Sequence, residues 1–125
     1  MKFLLDTHVL LWWLDDPELL SDEARRAIAN GRSSVYVSPI SFLEIAIKEA
    51  GGKLTVPADI AGSLELCRFT ELPLTVAHAS AVRDLPPHHK DPFDRVLIAQ
   101  ARIEGLTLIS RDSMIPKYDV RCVAA

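Results

Sequence analysis

Short apolar runs alternate along the chain with amphipathic stretches. "KFLL" is an apolar run of strand type that ends at Asp6. "VLLWWLDD" stays apolar and predicts a turn into a helix. In "SDEARRAIANG" Ser21 serves as N-cap, acids fill the first turn and Gly31 follows the end, so a helix is predicted. "SSVYVS" has the β-branched and aromatic content of a strand. Ser38 and Pro39 then open the helix "PISFLEIAIKEA", which stops at Gly51-Gly52. "KLTVPADIAGSLELCRF" starts as a loop and holds another helix, and "TELPLT" is a short strand. "VAHASAVRDL" is helical until Pro86-Pro87 break it. Asp91 as N-cap and Pro92 at the first position open a helix that runs to Glu104, where Gly105 closes it. "LTLIS" and "VRCVA" are the last strands.

Strands that alternate with helices predict an α/β fold with a mostly parallel sheet. In such sheets ligands bind beyond the carboxyl ends of the strands. The 125 residues show no repeat, low-complexity segment or linker, so one domain spanning 1–125 is expected. That length buries a core without staples.

Charge and cysteines narrow the class. The net charge of −3 gives no global basic field, although a local patch would still serve nucleic acid. Cys67 and Cys122 lack metal spacing and suit a reducing cytoplasm as small core residues. "MKFLLDTHVLLWWL" has the look of a signal peptide, but Asp6 and His8 interrupt it and no cleavage site follows. No run approaches the roughly 18 apolar residues of a membrane span. A soluble cytoplasmic protein without membrane contact is expected.

Four acids carry the candidate chemistry, and each has a plainer reading. Asp6 and Asp112 both fall just past strands, where each also suits a turn or a helix cap. Glu44 lies among Leu43, Ile45, Ile40 and Ile47, and can pair with Lys48 on a solvated face. That helix has few polar positions, so such a face is hard to draw. Asp91 can cap its helix, and Asp94 at the third helical position suits the positive helix end. Capping alone leaves the redundancy of two acids unexplained. Taken together, Asp6, Asp112, Asp94 and Glu44 should converge at one sheet edge. Clustered carboxylates repel unless protons or cations intervene. Hard divalent cations with oxygen ligands are the natural remedy, and they suit phosphoryl chemistry.

Other residues are weaker signals. His8 reads as core or rim. His88 and His89 lack the partners and spacing of a zinc site. Lys90, Arg95 and Arg111 flank the acids, as solvated charge or as contacts to phosphate. Trp12 and Trp13 read as core or subunit contact.

"FLLDTHVLLWWL", "SFLEIAIK", "DPFDRVLIAQA" and "LTLISRD", in this order and spacing, resemble PIN-domain proteins of the VapC toxin family. The resemblance covers nearly the whole chain. It implies a three-layer α/β/α sandwich around a central, mostly parallel sheet. It implies a Mg²⁺- or Mn²⁺-dependent endoribonuclease, the toxin of a type II toxin–antitoxin pair, with RNA as substrate, a cognate antitoxin and a homodimer. The family's acids fall on Asp6, Glu44, Asp94 and Asp112 as catalytic, metal-holding residues. Asp91 is the extra acid of the "DPFDR" form. Thr7 follows the first acid, and Ser110 keeps the hydroxyl the family often has two residues before the last. The products implied carry 5′-phosphate and 3′-hydroxyl.

Two rivals stay open. An aspartate-nucleophile phosphatase would also place an aspartate after the first strand, but it wants a second one two residues on, where His8 stands. A non-catalytic interaction module could keep the PIN fold. Metal-dependent RNA cleavage without a phosphoenzyme separates all three.

Overall fold

The computed structural model describes residues 1–56 and 59–125. Five strands form one sheet: β1 (Lys2–Leu5), β2 (Ser34–Val37), β3 (Thr70–Glu71), β4 (Thr107–Ser110) and β5 (Cys122–Ala124). Their order is β3-β2-β1-β4-β5, and every neighbouring pair is parallel. Among the described residues six α-helices flank the sheet: α1 (Thr7–Asp15), α2 (Asp22–Ala29), α3 (Pro39–Ala50), α4 (Ile60–Leu66), α5 (Val76–Ala81) and α6 (Pro92–Glu104).

Alternation along the central strands builds the three layers. Phe3 and Leu5 of β1, with Ile109 of β4, pack with Val9, Leu10, Ala24 and Ile28 on one face. Leu4 of β1 and Leu108 of β4 pack with Leu97, Ile98 and Ala101 of α6 on the other. Successive strand side chains point to opposite faces, so a strand buried on both sides must be apolar throughout. "FLL" and "LI" satisfy this.

The topology also fixes where a ligand belongs. The chain winds outward from β1 through β2 to β3, then returns to β4 on the other side of β1. Parallel α/β sheets bind ligands where the strand order reverses, beyond the carboxyl ends. Here that point lies between β1 and β4, the strands that end just before Asp6 and Asp112.

Helix boundaries follow capping chemistry. Ser21, Ser38 and Asp91 each accept a backbone N–H at a helix start, from Ala24, Ile40 and Phe93. Gly105 closes α6 at φ 68°, a left-handed conformation that favours glycine. α1 starts at Thr7, earlier than the apolar pattern predicts, because Asp6 itself caps it. "TELPLT" contributes only Thr70–Glu71 as strand, at the exposed sheet edge. The helix in "VAHASAVRDL" tightens to 3₁₀ geometry over Val82–Asp84 before Pro86. Part of the loop predicted before α4, residues 57–58, lies outside the described residues. Both cysteines are free and half-buried against the core, as their reading as small core residues anticipates.

Candidate active site

At the switch point the structure opens a cleft of about 370 Å³ lined by Asp6, His8, Trp12, Glu44, Asp91, Asp94, Arg111 and Asp112. The acids arrive from four places in the chain. Asp6 directly follows β1 and is buried; its Oδ1 accepts the Val9 N–H at 2.8 Å as N-cap of α1. Asp112 follows β4; its N–H donates to Ser110 Oγ at 3.1 Å and its Oδ1 accepts the Met114 N–H at 2.8 Å. Glu44 sits in the second turn of α3 and is only 2% exposed. Asp91 and Asp94 open α6.

The supporting hydroxyls join these elements. Thr7 Oγ1 donates to Ser41 Oγ at 3.0 Å, tying the start of α1 to α3 one turn before Glu44. The Ser110 hydroxyl accepts the Asp112 N–H and lies near enough to the Asp6 carboxyl to favour its charged form.

The plainer reading of Glu44 is half right. Its Oε2 does meet Lys48 Nζ, at 2.6 Å, but only the lysine is exposed, at 35% of its side chain, whereas the Glu44 side chain is buried and lines the cleft. This contact is the main reason that the Lys48 ammonium is held above its ordinary value. The other oxygen, Oε1, is buried and has no hydrogen-bond partner among the described residues.

Charge is crowded here. Burial pushes the Asp6 carboxyl above its ordinary value; the Ser110 hydroxyl, the Val9 N–H and His8 oppose this, and Glu44 adds to it. Burial first, then the charges of Asp91 and Asp6, lift Asp94 from 3.8 to about 7. Burial and mutual repulsion therefore oppose the full ionisation of these carboxyls near neutral pH.

The PIN domain family model matches residues 3–121. The chain belongs to the PIN domain family. It is 29% identical over 118 residues to Ribonuclease VapC22 of Mycobacterium tuberculosis, covering 92% of this chain and 90% of that protein. In fold it resembles VapBC2 from Rickettsia felis, solved bound to a promoter DNA fragment, with a TM-score of 0.73 at 12% identity over 99% of this chain and 98% of that one. DNA-bound VapBC from Salmonella typhimurium gives a TM-score of 0.67 at 17% identity, again covering 99% and 98%.

The donor set of this PIN domain suits a hard divalent cation. It is made of carboxylate oxygens, and the orphaned Glu44 Oε1 is a buried acceptor that lacks a partner. Asp91 is both cap and cleft wall. Its Oδ1 accepts from the Phe93 N–H at 2.9 Å and the Asp94 N–H at 3.3 Å, yet the residue still lines the cleft.

The three basic residues expected to meet phosphate separate. Arg111 lines the cleft with its guanidinium 4.2 Å from the centre of the Trp12 ring. One of its nitrogens is bonded to the carbonyls of Leu19 and Ala125. Arg95 does not join the cleft: it donates to the carbonyls of Val82, Leu85, Pro86 and His89, and clamps the loop before α6. Lys90 is exposed beside the cleft and not among its lining residues. Trp13 packs on the core as expected, whereas Trp12, also part of that packing, lines the cleft as well. His8 is exposed on the cleft wall beside Trp12.

One site residue escapes the sequence reading. His89 Nε2 lies 2.9 Å from Asp94 Oδ2 and 2.8 Å from Asp112 Oδ2. A zinc motif was the wrong signal to test it by. The usable signal is a histidine two residues before an N-cap, close enough to take that residue's free N–H.

Proposed function

We propose that residues 1–125 form a single PIN domain acting as a Mg²⁺- or Mn²⁺-dependent endoribonuclease, the toxin of a type II toxin–antitoxin pair. The observation that carries this reading is the convergence of Asp6, Glu44, Asp94 and Asp112 on one cleft with a buried, unpartnered Glu44 oxygen. Similarity to a ribonuclease along most of the chain supports the substrate class.

Asp6, Glu44, Asp94 and Asp112 would hold the cation, with Asp91 able to contribute its second oxygen. When bound, the cation supplies Lewis acidity, lowering the pKa of water and offsetting charge on phosphate oxygens. The rest is the work of side chains. Capping fixes Asp6, and Lys48 fixes Glu44, so both carboxylates are in place before substrate arrives. Asp94, titrating near 7, can hold a proton at a carboxylate oxygen at neutral pH and give it up when a counter-charge enters. Arg111, stacked on Trp12, offers positive charge to the phosphodiester at the wall of an otherwise acidic cleft. Thr7 and Ser110 keep the strand ends and α3 in register.

Partners follow from the relatives. The solved VapBC assemblies contain a second protein component, and a cognate antitoxin is assigned to this chain on that basis. A homodimer is proposed as well. Among the described residues no helix is long and apolar enough to cross a membrane, in keeping with a cytoplasmic site of action.

The deciding assay uses purified protein, single-stranded RNA and Mg²⁺ or Mn²⁺. Cleavage to 5′-phosphate and 3′-hydroxyl ends is expected, with none in chelator and none from Asp6→Asn. RNA binding without metal-dependent cleavage would instead identify a non-catalytic module. Phosphate trapped on Asp6 would identify an aspartate-nucleophile phosphatase.

A further inference from the structure

We propose that His89 is a positioning residue for the Asp94–Asp112 pair, acting as an N–H donor and not as a metal ligand. The inference rests on the reading of those two aspartates as cation ligands.

His89 Nε2 and one carboxylate oxygen from each of Asp94 and Asp112 all lie within 4.8 Å of one another. By composition this is a plausible metal triad. The other ring nitrogen decides against it. Nδ1 accepts the backbone N–H of Asp91 at 3.2 Å. A backbone N–H cannot reverse its polarity, so Nδ1 must present its lone pair. The ring proton therefore sits on Nε2, between the two carboxylates, and no lone pair there is free for a cation. To ligate through Nε2, the ring would have to move its proton to Nδ1. That proton would then face the Asp91 N–H, and a part-buried donor would lose its acceptor.

The loop that carries the ring is anchored with unusual thoroughness. Arg95 binds the carbonyls of Val82, Leu85, Pro86 and His89. Tyr118, itself buried, accepts the His89 N–H at 2.8 Å and donates to the Pro86 carbonyl at 2.7 Å. Backbone and ring of His89 are both fixed before any ligand contact. The ring then holds two acids from separate elements, the first turn of α6 and the loop after β4, at a separation their mutual repulsion would otherwise widen. Partners of this kind, which orient ligands without binding the metal, are worth about 10- to 100-fold in affinity.

The test has two arms, both without RNA, so failure of the ribonuclease reading and failure of this one are distinguishable. In protein labelled with ¹⁵N-histidine, NMR should report His89 protonated at Nε2, and this should persist at saturating Mg²⁺ and Zn²⁺. In calorimetric titrations, His89→Ala should weaken Mg²⁺ and Zn²⁺ by a similar factor, about 10- to 100-fold. His89→Gln, which keeps an amide N–H at comparable reach, should recover most of that loss. Movement of the proton to Nδ1 on metal addition would overturn the proposal, as would a loss in His89→Ala confined to Zn²⁺. Unchanged metal affinity in His89→Ala would remove the positioning role. Should His89→Ala fail to fold, the wild-type spectra and the Gln variant still decide.

Discussion

The two ends of α6 use the same device for opposite purposes. At its C-terminal end, His78 Nε2 meets Glu104 Oε2 at 2.7 Å, and Nδ1 accepts the N–H of Thr75, the N-cap of α5. At its N-terminal end, His89 Nε2 meets Asp94 and Asp112, and Nδ1 accepts the N–H of Asp91, the N-cap of α6. In both places a cap residue's free N–H fixes the ring tautomer and aims Nε2–H at a carboxylate. The difference lies in the count of acids. Glu104 is the one carboxylate on His78, and its side chain is 41% exposed, so water shares its charge. Two half-buried carboxylates share His89, and three further acids line the same cleft. A single carboxylate shared with water staples α5 to α6, whereas a crowd of half-buried and buried carboxylates favours a counter-charge. An imidazole–carboxylate contact is thus no sign of function by itself, and the unbalanced charge around it is.

The comparison breaks most visibly in catalysis. Asp94→Asn should lower RNA cleavage in Mg²⁺ by about 10²- to 10³-fold, the scale of a lost electrostatic contact at a reacting centre. Glu104→Gln should leave the rate within about twofold of wild type, because it lies outside the charged cleft. Equal losses from both variants would mean that the acid surplus has no catalytic meaning.

Stability against pH comes next. The Asp94 carboxyl is lifted from 3.8 to about 7 in the folded protein, so the folded state binds that proton more tightly than the unfolded chain does. In chelator, this contribution to stability should be fully present below about pH 4, fall as pH rises towards 7, and be lost above it. Asp6, shifted in the same direction by burial, adds to the fall. The total is on the order of a few kcal/mol, and Asp94→Asn should flatten much of it while raising the melting temperature at pH 8. Mg²⁺ should restore stability at pH 8 in the wild type through linkage. A melting temperature that rises between pH 5 and 8 in chelator would contradict the crowded-acid account.

At the other end of the helix the expected effect is purely structural. His78→Ala removes a buried ring and leaves the Thr75 N–H without its acceptor, at a cost of about 2 kcal/mol. Its Mg²⁺ affinity should match wild type in the same titration. The smallest effect belongs to Asp91. Asp91→Ala should cost about 1 kcal/mol through the lost cap, and Asp91→Asn only a few tenths. If Asp91→Asn abolishes cleavage while Asp94→Asn does not, the two acids have exchanged roles.

Much of this was legible in the residue order, for local reasons. Ser21, Ser38, Asp91 and Gly105 mark helix ends by chemistry confined to a few neighbouring residues. "KFLL" and "LTLIS" announce strands buried on both faces by their lack of polar alternation. Asp6 and Asp112 could be placed at one sheet edge because both follow such strands. Arg95 could not be read this way. It lies eight residues beyond Pro87, and only the folded loop reveals that the carbonyls of Val82, Leu85, Pro86 and His89 take up its donors.

The sequence by itself determined the alternation of strands and helices, the acids that meet beyond β1 and β4, and the family to which they point. Those are matters of period, capping and order along the chain. Tertiary structure alone decided which oxygen of Glu44 is spent on Lys48 and which is left over, which of three cations stays in the cleft, and that His89 bridges two of the acids. Each depends on directions of approach between segments far apart in sequence, such as Asp112 and His89 across 23 positions. A hydrogen bond is satisfied or denied by angle and distance, and residue order carries neither.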